Sequence, residues 1–129
     1  MATLFTKIVN GEIPAYKIAE DENYVAFLDV SPLTKGHTLV IPKIENDYIF
    51  DLDDERLSGL MVFAKKVAIA IKSAIPCRRI GVAVIGLEVP HTHIHLIPMD
   101  HVGDMNFSNV KLKMLPDQMQ EIAKAIRGE

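Results

Sequence analysis

His91, His93 and His95 alternate with Thr92, Ile94 and Leu96, and with His101 they gather four of the chain's five histidines into residues 91–101. On an extended backbone alternate side chains share one face, so the three imidazoles project together while Ile94 and Leu96 enter the opposite, apolar layer. A solvated strand has no need of three rings in register, and two kinds of chemistry use them. Neutral imidazole is a common zinc ligand, with bonds of about 2.0 to 2.1 Å. At about 3.3 Å per residue, however, the outer two Cα atoms lie roughly 13 Å apart, and three rings on a flat strand do not easily converge on one ion. Two of them with a further ligand could. Nucleophilic and acid-base chemistry instead wants adjacent, non-converging rings, one attacking an electrophile while its neighbour manages a proton near neutral pH.

Such a face needs a sheet beneath it. Residues 24–28 and 37–41 are β-branched and aromatic runs closed by Asp29 with Ser31-Pro32 and by Pro42, which predicts two hairpin-linked strands. Residues 80–85 and 91–97 supply two more, separated by Gly86 and stopped by Pro98. Leu57, Leu60, Met61, Ala64, Val67, Ala68 and Ile71 recur at three and four residues, which predicts a helix over 54–74 capped by Asp53 and ended at Pro76. Pro116 opens a terminal helix to 126 with Met119, Ile122, Ala123 and Ile126 on one side, and 4–9 forms a short helix ended by Asn10-Gly11. Residues 100–114 carry mixed signals and receive no assignment. Antiparallel strands with two principal helices predict an α+β fold in which helices cover a sheet.

The whole chain bounds these readings. Its 129 residues suit a single domain, 1–129, and 49% apolar with 24% charged side chains excludes a disordered, collagen-like or coiled-coil chain. No apolar run approaches the roughly 20 residues that cross a bilayer. The first residues lack the pattern of a secretory signal, so the cytoplasm is the predicted compartment. A balance of 14 basic against 17 acidic side chains, with no basic stripe, disfavours nucleic acid as a partner while leaving room for a small phosphorylated ligand. Cys77, the single cysteine, cannot form an internal disulfide and is predicted to fill core.

The segment Pro90-His91-Thr92-His93-Ile94-His95-Leu96-Ile97-Pro98 resembles the His-x-His-x-His-x-x signature of the histidine triad (HIT) superfamily, with Thr92 where the pattern is usually apolar. Upstream, Phe5-Thr6-Lys7-Ile8-Val9-Asn10-Gly11-Glu12-Ile13-Pro14, Phe27-Leu28-Asp29-Val30-Ser31-Pro32 and Gly36-His37-Thr38-Leu39-Val40-Ile41-Pro42-Lys43 are similar in order and spacing to the histidine triad nucleotide-binding proteins. The resemblance covers residues 4–99. It implies a HIT-like antiparallel sheet of about five strands with one long and one C-terminal helix, a homodimer, and a purine nucleotide or nucleotide conjugate as ligand. It implies that His93 attacks the α-phosphorus, that His95 and His37 flank the phosphate, and that His91 supports the array. A backbone carbonyl would hold the second nitrogen of His93. Asp29 would take the ribose hydroxyls, although an Asp before Ser31-Pro32 is also an ordinary turn cap. Phe5, Ile8, Ile13, Phe27 and Val30 would form the base pocket, although on sequence alone each reads as core. Gly86 and Glu88 would lie on the approach to the phosphate.

Three departures qualify that reading. Many bacterial relatives carry Cys-x-x-Cys where this chain has Thr3 and Thr6, and histidine where it has Glu45. Threonine does not replace a thiolate ligand, so no metal and no cofactor is predicted. Glu88 occupies a Ser/Thr position whose hydroxyl contacts phosphate in the family, and a carboxylate there repels phosphate unless it is protonated or paired. Pairing with His91 or with a basic leaving group would relieve it. The family's upstream asparagine is also absent, with Ile80, Gly81 and Val82 in that stretch. The expected function is hydrolysis of a nucleoside 5'-phosphoramidate or related conjugate through a nucleotidyl-histidine. A nucleotide-binding module with little turnover is the alternative, followed by a metal-dependent hydrolase, which chelation would abolish.

Overall fold

The computed structural model describes residues 2–129. Three helices, α1 (Leu4–Val9), α2 (Asp54–Ala74) and α3 (Pro116–Arg127), surround strands β1 (Lys17–Glu20), β2 (Tyr24–Leu28), β3 (Thr38–Pro42), β4 (Arg79–Ala83) and β5 (Ile94–Met99). The strands form one antiparallel sheet in the order β1-β2-β3-β5-β4. This is the α+β arrangement of one sheet, a long helix and a terminal helix that the sequence predicts. None of the described helices is long and apolar enough to cross a membrane.

The sheet separates two apolar layers. Ala26, Leu28, Val40, Ile94 and Leu96 point one way and pack under α2 and α3, against Leu60, Ala64, Val67, Ile71, Met119 and Ile122. Val25, Phe27, Leu39 and Ile41 point the other way, against Phe5 and Ile8 of α1. Covered on both faces, every residue of β2 and β3 is buried. His95 stands in register with Leu39 of β3 and Ala83 of β4, which puts it on the α1 face beside the second layer.

α2 begins where Asp53 caps it, its carboxylate accepting from the Arg56 N–H at 2.8 Å. The buried face differs from the expected one at two positions. Met61 is 43% exposed, and Phe63 is buried instead, its ring 5.7 Å from that of Tyr24. β5 also departs from expectation. Its ladder begins at Ile94, opposite Val40, because the preceding N–H groups bond elsewhere: His91 to Val89 O at 2.8 Å and Thr92 to Asn46 O at 2.6 Å. At its other end Pro98 lies inside the strand. Pairing with β3 has ended at Leu96, so Pro98 faces only β4 and its missing donor costs no central ladder bond. β1 lies outside the strand runs that the sequence shows, since only Ile18 of its four residues is buried. Cys77 is half-buried and stands outside both apolar clusters, so it is not core filler.

Gly59 shows how closely α2 approaches β2. A Cβ there would run into the Tyr24 hydroxyl, which donates to Arg56 O at 3.1 Å. Alanine is the better helix former by about 1 kcal/mol, yet overpacking costs about 1 to 3 kcal/mol. Gly59→Ala is therefore expected to lower stability, by about 1 kcal/mol net, in urea titrations. Tyr24→Phe in the same chain should recover most of that loss by removing the obstructing oxygen. A more stable Gly59→Ala would contradict the close approach.

Candidate active site

The three triad rings stand in sequence along the α1 face. The centroid of the Phe5 ring is 5.9 Å from His91 and 5.0 Å from His93, and the His93 and His95 centroids are 5.0 Å apart. Although the ladder starts only at Ile94, alternation of side chains persists through the lead-in. His93 and His95 are each 8% exposed, whereas His91 is fully buried.

Hydrogen bonds to groups of fixed polarity settle the tautomers. The His93 Nδ1 lies 2.7 Å from His91 O. A carbonyl only accepts, so Nδ1 carries the hydrogen, and in the neutral ring Nε2 holds the lone pair. No described residue bonds that Nε2, yet no buried side-chain nitrogen lacks a partner, so this atom reaches open space. The Leu33 N–H donates to His37 Nδ1 at 3.0 Å, which places the hydrogen of His37 on Nε2. That group donates to His95 Nδ1 at 2.9 Å. His95 is thereby left with an Nε2–H, free of protein partners, as a donor beside the His93 lone pair.

Burial keeps His37 and His95 neutral. It drives the pKa of His37 down to about 3, with the neighbouring His95 adding to the effect, and that of His95 down to about 4, with His93 adding. Burial lowers His91 as well, against the opposing pull of the Pro42 carbonyl bond and Glu45. Burial raises Asp29 above the ordinary carboxylate range, opposed by the Ser31 N–H it accepts at 2.9 Å. Asp29 is thus the turn cap. Its second oxygen lies 3.6 Å from His37 Nε2.

A cavity of about 550 Å³ opens over this array. Phe5, Ile8, Ile13 and Phe27 line it, as do Asp29, Val30, Gly86, Glu88, His37, His93 and His95. The structure therefore brings together every sequence-predicted site residue except His91, which lies behind the cavity wall. Val30 is 71% exposed and Ile13 only half-buried, so those two belong to the rim rather than to the core. A second cleft of about 250 Å³, between β2 and the start of α2, contains none of the histidines.

Glu88 does not pair with His91. Both nitrogens of that ring are taken, because Nε2–H donates to Pro42 O at 2.8 Å and Nδ1 accepts from the Thr3 hydroxyl at 3.0 Å. Thr6 and Glu45 complete the set, with the Thr6 hydroxyl donating to Glu45 Oε1 at 2.6 Å and the Thr3 N–H reaching the same oxygen at 3.1 Å. The two threonine hydroxyls lie 3.1 Å apart. Thr3, Thr6 and Glu45 thus form a hydrogen-bonded cluster around His91.

Among the described residues one group has the spacing of metal ligands, namely Asp29, His37 and His95. Its donor set does not fit an ion. To ligate through Nε2, neutral His37 would have to move its hydrogen to Nδ1, where the Leu33 N–H already points at 3.0 Å. Two donors would then face each other.

Two cavity residues come from the segment that sequence left unassigned. The Phe107 ring stands edge-on to His95, with centroids 4.9 Å apart, and Lys111 lines the same end. Phe107 is the one aromatic residue after Phe63, a signal available in the sequence. Lys111 offered none.

Residues 10–102 match the family described as HIT domain. An uncharacterized HIT-like protein of Borreliella burgdorferi is 35% identical over 131 residues, covering 95% of this chain and 94% of that one. The adenosine 5'-monophosphoramidase HNT1 of Saccharomyces cerevisiae is 39% identical over 98 residues, covering 75% of this chain and 62% of that one. A crystal structure of a Hit-like protein from Bartonella henselae superposes with a TM-score of 0.84 at 31% identity, over 98% of this chain and 95% of that one. Sequence and backbone agree along the same length, and the chain belongs to the HIT domain family.

Proposed function

We propose that this protein is a nucleotidyl hydrolase that cleaves purine nucleoside 5'-phosphoramidates or related nucleotide conjugates. The observation that carries this reading is the His93 ring, tethered through Nδ1–H to His91 O with Nε2 open to a cavity of nucleotide size. Its Nε2 attacks the α-phosphorus, the N–P bond to His93 forms, and the bond from phosphorus to the leaving group breaks. The departing amine takes a proton from solvent. Water then cleaves the N–P bond, releasing the nucleoside monophosphate and returning His93 to its starting tautomer. His95, neutral and donating through Nε2–H, serves the charge that builds on the phosphoryl oxygens, and the His37 Nε2–H holds it in that tautomer. The apolar cavity wall of Phe5, Ile8, Ile13, Phe27 and Val30 takes the base, and Asp29, with one oxygen unused by its turn, takes the ribose.

A homodimer acting in the cytoplasm completes the proposal. β4 is an edge of the sheet, Val82 on it is 53% exposed, and Val62 and Ile69 of α2 are also exposed. Such an edge favours pairing with another copy. The opposite edge, β1, is already closed where Arg127 donates to Lys17 O at 2.7 Å.

Glu88 favours a second reading, a nucleotide-binding module with little turnover, because its exposed carboxylate sits on the cavity wall without a partner among the described residues. Denaturant quenching during turnover of adenosine and guanosine 5'-phosphoramidates separates the two. A labelled nucleotidyl adduct on His93 with release of monophosphate is expected, unaffected by exhaustive chelation. Tight nucleotide binding without adduct would leave the module, and activity lost on chelation would leave a metal-dependent hydrolase.

A further inference from the structure

The charge of the cavity lining is one-sided. Asp29 and Glu88 are acidic, His37 and His95 are held neutral by burial, and Lys111 is the one lysine or arginine among the lining residues. A nucleotide brings at least one further negative charge to this place. Backbone dipoles and neutral imidazoles can receive it, but only Lys111 can balance it.

The fold holds Lys111 at the histidine end. The Leu112 N–H donates to Pro32 O at 2.8 Å, which fastens the segment beside the turn that follows Asp29. Phe107 rests edge-on against His95 and, at 6.4 Å between centroids, against His37. The Lys111 ammonium donates to Phe107 O and, at 3.0 Å, to Asn109 O. An ammonium has three N–H groups, so one remains. Among the described residues Lys111 forms no ion pair, and its positive field is felt at Asp29 and at His37. A half-buried cation that is bonded to carbonyls, short of one acceptor and facing a cavity is arranged for an anion.

We propose that Lys111 binds the phosphate of the substrate, so that the cavity selects anionic nucleotides over the corresponding nucleosides. This rests on the reading of the cavity as a nucleotide site and adds to it the group that neutralises the phosphate. The rival role for Lys111 is to tie its own segment together through the two carbonyls.

Calorimetric titration of adenosine and adenosine 5'-monophosphate into the wild-type protein, Lys111→Met and Lys111→Arg distinguishes these roles. Lys111→Met is expected to weaken the monophosphate by about tenfold to a hundredfold, the range of a charge-assisted hydrogen bond, while adenosine changes by less than about twofold on that scale. Lys111→Arg should keep most of the preference for the phosphate. The wild-type preference should also fall with added salt, and that of Lys111→Met should not. Equal weakening of both ligands would mean a segment tie and overturn the proposal, as would an unchanged monophosphate affinity. A wild-type protein that binds neither ligand would overturn the nucleotide reading itself, and this inference with it.

Discussion

His93→Ala is expected to abolish nucleotidyl transfer, lowering kcat on a nucleoside 5'-phosphoramidate by about four to six orders of magnitude, the scale at which a covalent nucleophile is lost. The cavity wall is otherwise intact in this variant, so nucleoside monophosphate should still bind and the quenched reaction should show no adduct. His93→Gly offers a complementary measurement. Free imidazole added to it can occupy the vacated space beneath the Phe5 ring, which lies 5.0 Å from His93, and should restore part of the turnover by attacking phosphorus itself. Full activity in His93→Ala would place the nucleophile elsewhere. Turnover lost together with all nucleotide binding would indicate a collapsed site rather than a missing nucleophile.

The second large effect is on stability in acid. His37 and His95 are neutral when folded, with pKa values near 3 and 4, and titrate at the ordinary 6.5 when unfolded. Between these limits the unfolded chain binds more protons than the folded one, so stability is complete above pH 6.5 and falls as pH drops towards the folded values. Each ring contributes up to about 1.4 kcal/mol per pH unit. Together they should remove about 5 kcal/mol between pH 6.5 and 4, a large part of the 5 to 15 kcal/mol typical of a domain. Lowered His91 adds to the fall, and raised Asp29 works in the opposite sense. Urea midpoints measured from pH 7.5 to 4.5 should show this decline. His37→Asn should make it shallower by about 1.4 kcal/mol per pH unit. Stability that stays level between pH 7 and 5 would mean that these rings are hydrated and charged.

Much of this was legible because it is local. α2 and α3 announce themselves through caps and spacing, and the buried faces at Leu60, Ala64, Val67, Ile71, Met119, Ile122 and Ala123 follow from the helical period. The shared face of His91, His93 and His95 follows from alternation, which holds even where the ladder has not begun. What escaped the sequence depends on distant returns of the chain. The start of β5 is decided by Asn46 O, which takes the Thr92 N–H, and no pattern within residues 91–97 reveals that partner. Phe107 and Lys111 enter the site only because Leu112 bonds back to Pro32, in a segment lacking any period. Phe63 replaces Met61 in the core because β2 presents Tyr24 to it, a matter of packing between elements. Glu88 has no nitrogen of His91 left to pair with, because Thr3 and Pro42, far away in sequence, hold both nitrogens of that ring.

The cluster of Thr3, Thr6 and Glu45 around His91 has a consequence for where the protein can work. His91 O anchors the His93 ring, so whatever steadies His91 steadies the nucleophile. Hydroxyls and a carboxylate neither form disulfides nor wait to be metallated. Peroxide stress or zinc starvation, either of which would undo a thiolate clamp, should leave this support standing.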